Sequence, residues 1–369
     1  MSSQANSIDD AKPNRGLHLF AIFVAVLTVV LLLAGALVTS NEAGDSVPDW
    51  PLSFGRWLIA SDRFQSGVRY EYSHRFIAGT VGFATFILAL WAWFGDHRKR
   101  VRRFALLIFV GVVAQGVLGG LRVLLVSSGL LNTDVAKPLI AVPHALIAQS
   151  FFGCIVAIAV LTSRSWFTAH DTRSDAGGYG LRRLTAWSLA IVLTQLVLGA
   201  GFRHGAFGIL PHALGAVAVT AMVAWTAYAT LKRHGDNPYL ARPARVLVVV
   251  LLTQLTLGVL AYITRMSVAG QPLATVADFF TRMSVAGQPL AGVADFFARM
   301  TIAPLSSLTL QQPVEPMISL TAAHLVVGAL TLATLVVLTL RTYQVLAPQP
   351  AIDSTGANAL ASSPRKAAV

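Results

Sequence analysis

The sequence predicts an all-α integral membrane protein in which eight transmembrane helices form two pseudo-symmetric four-helix bundles. Of its 369 residues, 55% are hydrophobic and only 12% charged, a balance that excludes an ordinary soluble domain. Apolar runs near the length of about 20 residues that crosses a bilayer recur at 17–39, 72–95, 104–126, 139–162, 183–202, 208–231, 245–263 and 318–340. The pattern Q-x-x-L-G recurs at Gln115 to Gly119, Gln195 to Gly199 and Gln254 to Gly258, in the third, fifth and seventh runs. The first four helices therefore read as a degenerate copy of the last four.

In order, residues 1–16 form a cytoplasmic tail, 17–162 an N-terminal four-helix half and 163–182 a cytoplasmic linker. Residues 183–341 form the C-terminal half, and 342–369 a disordered cytoplasmic tail. The first run is too long for a signal-peptide core and lacks a small-residue cleavage site, and its leader is too acidic for a transit peptide, so it is expected to stay as a helix. The second opens with "EYSHR", the third follows the basic run "HRKRVRR", and the fourth holds His144 and the lone cysteine, Cys154. One thiol builds neither an intramolecular disulfide nor a thiolate metal cluster. A short turn with His204 joins the fifth and sixth runs. After the seventh, "TRMSVAGQPLATVADFF" is followed by "TRMSVAGQPLAGVADFF", a tandem copy over 264–297. It reads as a recent duplication lengthening a surface loop, at little closure cost.

The net charge of +12 would suit nucleic acid, but the basic residues lie in short loops between apolar runs, where they set orientation. With both termini cytoplasmic, 18 of the 28 Lys and Arg fall on that side and ten outside. The lipid bilayer is the implied partner, with no nucleic acid.

The histidines carry the chemistry. His18, His97, His170 and His234 fall at helix starts or in cytoplasmic loops. His74, His144, His212 and His324 occur once in each even-numbered run, all near the end that enters from the outer face. Singly, each could serve as an interhelical hydrogen-bonding residue; four at one depth make a pattern. Zinc or copper needs three or four ligands converging on one point. Four imidazoles on four helices, in two similar halves, better suit two opposed pairs, His74 with His144 and His212 with His324, of the kind that ligate haem iron. The glycines and glutamines of the repeat are expected to serve helix packing and interhelical hydrogen bonds. The halves differ at one position. Glu71 lies one turn before His74, whereas Ala141, Ile209 and Thr321 precede the other three. An interfacial anchor or a partner for Arg75 is one reading of Glu71; a functional acid is the other, favoured by the asymmetry.

These pieces, together with "GALVTSNEAGDSVPDWPLSFG", "QGVLGGLRV" and "LGAGFRHG", resemble the haem A synthase family over roughly residues 17–341. The resemblance implies an oxidoreductase that converts a methyl group of haem O to a formyl group for terminal oxidases. It implies a resident haem B on His212 and His324, and substrate haem O on His74 and His144 with Glu71 as catalytic acid. It also implies a bacterial cytoplasmic membrane location with haem sites towards the outer face, and haem O synthase and an electron donor as partners, with homo-oligomerisation open. Many members carry two cysteines flanking the D-W-P segment; here those positions hold Val47 and Ser53, so no thiol can act there. A bis-haem b-type electron carrier and a haem-handling transporter or assembly factor are the alternative readings.

Overall fold

The computed structural model describes residues 13–168, 173–175, 180–265, 267–268, 271–272 and 315–347. Among them, eight helices are long and apolar enough to cross a membrane. They are α1 (Arg15–Ser40), α2 (Ser66–Gly95), α3 (Lys99–Ser127), α4 (Val142–Thr162), α5 (Leu181–Arg203), α6 (Ile209–His234), α7 (Pro238–Arg265) and α8 (Glu315–Val345). The chain is a multi-pass membrane protein.

Local chemistry sets several ends. Asn14 caps α1 by accepting the Leu17 N–H at 3.0 Å, which satisfies one of the donors a helix start leaves open. At the other end the Asn41 side-chain amide donates to the Leu37 carbonyl. Pro143 sits in the first turn of α4, where its missing N–H costs nothing, after a π-helical turn at Lys137–Ala141. Asp175 receives the Leu181 and Arg182 N–H groups at the start of α5.

Packing organises the helices into two rings. α1, α2, α3 and α4 each contact their sequence neighbour, and α4 closes back on α1; α5 to α8 repeat this, with α8 closing on α5. The rings meet through α4 against α8, α1 against α8 and α4 against α5. Exchanging the halves turns the second of these contacts into the third and leaves the first in place, which is the contact pattern of a twofold relation running between α4 and α8. Each ring has its own apolar core, and a third cluster of Leu32, Phe152, Ala329 and Ala333 fills the seam. Buried hydroxyls bond back to the carbonyl four residues earlier, as Thr28, Thr85 and Thr230 do, so the apolar interior leaves them satisfied. Ser188 and Thr226 bridge α5 and α6 at 2.7 Å.

Several helices outrun their apolar runs. α2 starts at Ser66, so Glu71 lies inside the helix rather than just ahead of it. α8 extends to Val345, and Leu346–Ala347 pair with Arg173–Ser174; the last residues of the C-terminal half thus continue as helix into the segment expected to be tail. Arg164–Thr168 form a short helix within the expected linker. Apart from residues 264, 265, 267, 268, 271 and 272, the tandem copy lies outside the described residues.

Candidate functional site

The C-terminal ends of the odd helices meet the N-terminal ends of the even ones, and there the four imidazoles sit. A Cβ placed on Gly35 of α1 would lie 3.1 Å from His74 Cε1. The equivalent distances are 3.0 Å from Gly119 of α3 to His144, 2.9 Å from Gly199 of α5 to His212 and 2.8 Å from Gly258 of α7 to His324. All four rings therefore occupy one end of the double bundle, each laid on a glycine of the preceding helix. The sequence reading gave the repeat glycines Gly119, Gly199 and Gly258 to helix packing; the structure sets an imidazole against each of them and against Gly35.

The glutamines of the repeat lie one turn before those glycines, on the same helix face. Gln115 donates to the His144 carbonyl at 2.6 Å and Gln195 to the His212 carbonyl at 2.9 Å. The Gln195 amide also lies 3.0 Å from His212 Nδ1. His324 Nδ1 lies 3.1 Å from the Gln254 carbonyl, a contact that holds the proton on Nδ1, and its Nε2 lone pair faces the Gln254 side-chain amide at 3.3 Å. In the N-terminal half, His74 Nδ1 and His144 Nδ1 have no hydrogen-bond partner. The Leu31 carbonyl faces the His74 ring without reaching hydrogen-bond geometry.

The C-terminal pair fits a single metal centre. The His212 and His324 ring centroids are 6.3 Å apart with the planes at 86°. Two metal–imidazole bonds of about 2.0 Å plus the ring radii come to roughly this span. The buried oxygens of Gln115, Gln195 and Gln254 have no partner, and unsatisfied polar atoms in a protein interior call for an explanation. Among the described residues, no three or more His, Cys, Asp or Glu converge as a metal-sized cluster, so paired axial ligation of a haem fits the donor set better than a zinc or copper site. His74 and His144 lie within electrostatic reach of one another.

Glu71 is 4% exposed and both of its oxygens are engaged. Oε1 pairs with Arg75 Nη2 at 2.6 Å, and Oε2 accepts the Val47 N–H at 2.9 Å. Arg75 in turn donates to the carbonyls of Val47, Asp49 and Leu52. The α1–α2 connection is thereby tied to α2 one turn from His74. Asp49 takes the Phe54 and Gly55 N–H groups, each at 2.7 Å, closing the turn after D-W-P. Trp50 packs its indole on Gly120, next to the glycine under His144. Arg122 reaches the Gly44 carbonyl at 2.7 Å and Asp45 at 2.9 Å. The connection is thus fastened to α2 and α3 around the first imidazole pair.

The sequence pattern of the COX15-CtaA family, described as cytochrome oxidase assembly protein, matches residues 18–210, just over half of the chain. The chain belongs to this family. It is 34% identical over 108 residues to a heme A synthase of Halalkalibacterium halodurans, covering 29% of this chain and 36% of that one. A heme A synthase of Exiguobacterium sibiricum is 28% identical over 193 residues, 52% of this chain and 60% of the relative. One of Rhodopseudomonas palustris is 26% identical over 258 residues, 61% and 68% of the two. The matches thus take in between about a third and three fifths of the first two relatives' length.

Within this COX15-CtaA chain, the family match includes Glu71, His74 and His144 and stops just short of His212. The structure brings His212 to His324 and sets Glu71 beside the first pair without a hydrogen bond between Glu71 and His74. His204 is the C-cap of α5, its N–H donating to the Ala200 carbonyl. Sequence reasoning missed Gly35, because α1 carries Leu31 where the other odd helices carry glutamine, so the motif search passed over it. It also missed the reach of Arg75 and Arg122 into the α1–α2 connection. Only their position at helix ends beside a Pro/Gly-rich segment hinted at that.

Proposed function

We propose that the protein is a haem A synthase, an oxidoreductase that converts a methyl substituent of haem O to a formyl group and so makes haem A for terminal oxidases. The observation that carries this reading is that two imidazole pairs of one design occur in this family member, and among the described residues only the first has a buried carboxylate beside it. Two equal haems of an electron carrier would give no reason for that difference.

His212 and His324 would hold a resident haem B, which when bound supplies one-electron redox chemistry in the C-terminal half. His74 and His144 would receive the substrate haem O. Their glycine seats would fix the direction of each ring, and Trp50 on Gly120 and the fastened α1–α2 connection would cover this end. Glu71 would manage protons beside the substituent being oxidised, its carboxylate held one turn from His74 by Arg75 and the Val47 N–H. Haem O synthase would deliver the substrate within the membrane, and an electron partner would complete the redox balance. The excess of Lys and Arg on the loops opposite the histidines supports cytoplasmic termini and haem sites towards the outer face of a bacterial cytoplasmic membrane.

The test is expression in cells that make haem O but no haem A, followed by chromatography of the extracted haems. Wild type should yield haem A, and preparations containing haem B alone would overturn the reading in favour of an electron carrier. In the same assay Glu71→Gln retains an acceptor for the Val47 N–H while losing the titratable group. It should keep haem B and accumulate haem O or a hydroxylated intermediate. Wild-type conversion by Glu71→Gln would leave Glu71 only as the fastening of the connection.

A further inference from the structure

We infer that Gly35, Gly119, Gly199 and Gly258 are positioning residues, each the seat of one haem-ligating imidazole, whose lack of a side chain sets the angle at which that ring meets iron. The inference rests on the haem reading above and goes beyond it by assigning the orientation of the ligands to the odd helices.

The four seats are copies of one geometry. In every case the ring atom nearest the virtual Cβ is Cε1, Nδ1 follows, and Nε2 is farthest of the three, at 3.8, 3.9, 3.8 and 3.7 Å in chain order. The rings therefore share one pose, with the Cε1 edge on the seat and Nε2 at ordinary contact distance beside it. A methyl group in any seat would stand 2.8–3.1 Å from Cε1, well inside the separation of about 3.5 Å at which carbon atoms attract rather than repel. The imidazole would have to swing, carrying Nε2 with it.

General helix packing does not account for these positions. Gly111 and Gly116 lie on α3, the helix of the Gly119 seat, with nothing within 4 Å of a virtual Cβ, so glycine there does not by itself mean a close neighbour. Glycine also weakens a helix relative to alanine. At the seats the imidazole supplies the reason for tolerating it. The glutamine one turn earlier is a separate device, since α1 has Leu31 there and still seats His74 on Gly35.

The halves serve as controls for each other. Full-length protein is purified from cells that make haem B but no haem O, and then titrated with haem O. Gly199→Ala and Gly258→Ala should shift the low-spin haem B optical and electron paramagnetic resonance signals. They should also speed haem transfer to apomyoglobin at least tenfold, the order by which disturbed outer-shell partners weaken metal sites. Gly35→Ala and Gly119→Ala should leave those signals unchanged and weaken haem O binding by a similar factor. Gly116→Ala should match wild type in both measurements. Wild-type spectra and transfer rates in both Gly199→Ala and Gly258→Ala would overturn the inference, as would equal loss of haem from both halves in every seat variant, which is the mark of general misfolding. A wild-type preparation with no low-spin bis-histidine signal would instead overturn the haem reading itself.

Discussion

Asp49 shows how one side chain can fold a segment that has no regular structure. Its two oxygens take the Phe54 and Gly55 N–H groups, where the backbone turns through positive φ at both residues. Burial acts to raise its pKa, but the N–H donors of Gly55 and Phe54 and the charge of Arg75 outweigh that and hold the carboxyl below its ordinary value. A depressed folded pKa means that the stabilisation is present above the unfolded value, about 3.9 for aspartate, and is lost as pH falls through the folded one. Hydrogen exchange at the Phe54 and Gly55 amides, corrected for intrinsic rates, should therefore accelerate only below about pH 4. In Asp49→Asn it should be faster at neutral pH and lack the acid step; an acid step surviving in that variant would assign it to another group. Glu71 lies in the same network, and its pairing with Arg75 was legible as an i, i+4 contact on one helix. That both partners hold the α1–α2 connection was not, because those contacts join residues more than 20 positions apart.

At the scale of elements, apolar run length placed every spanning helix, since the bilayer imposes one minimum length on all of them. It did not place their ends. Ser66–Tyr70 at the start of α2 and Arg341–Val345 at the end of α8 are helical although polar, because the interfacial turns are held by specific contacts. Arg341 reaches Ser165, and Gln344 reaches the Trp166 carbonyl. The Q-x-x-L-G repeat was legible as a pattern, but its use was not, since only the neighbouring helix shows what glycine and glutamine face. The halves differ in how the rings are anchored. His324 Nδ1 faces the acceptor carbonyl of Gln254 and His212 Nδ1 the donor amide of Gln195, while no hydrogen bond is formed at Nδ1 of His74 or His144. A ligating imidazole that donates its outer N–H to an acceptor holds metal more tightly, typically by about 10–100-fold, and His324 is placed to do so. Gln195 meets His212 Nδ1 with its amide nitrogen, a donor that favours the proton on Nε2, so Gln195→Leu should slow haem release to apomyoglobin, while Gln115→Leu, whose amide touches only a carbonyl, should change that rate little. Equal effects of the two would reduce both glutamines to packing.

For the whole molecule, the twofold relation follows from the contacts: two closed rings joined through α4 and α8, with α1–α8 and α4–α5 as equivalent seams. The halves were visible in the sequence through the histidines and the repeated motif, whereas the seam was not, because Leu32, Phe152, Ala329 and Ala333 look like any other apolar residues of a membrane helix. Lipid offers no drive to bury them, so shape complementarity alone selects them. Orientation is decided outside the helices. The basic residues cluster at the α2–α3, α4–α5 and α6–α7 connections, the end opposite the imidazoles, and positively charged short loops stay on the cytoplasmic side. Reporter fusions after residues 99 and 236 should therefore behave as cytoplasmic, and fusions near residues 62 and 290 as external. Charge reversal at Arg100, Arg102 and Arg103 should increase the fraction of chains inserted the other way. The opposite pattern in the unaltered chain would turn the imidazole end to the cytoplasm, against the side on which most of the positive charge is expected to stay, and would overturn the orientation.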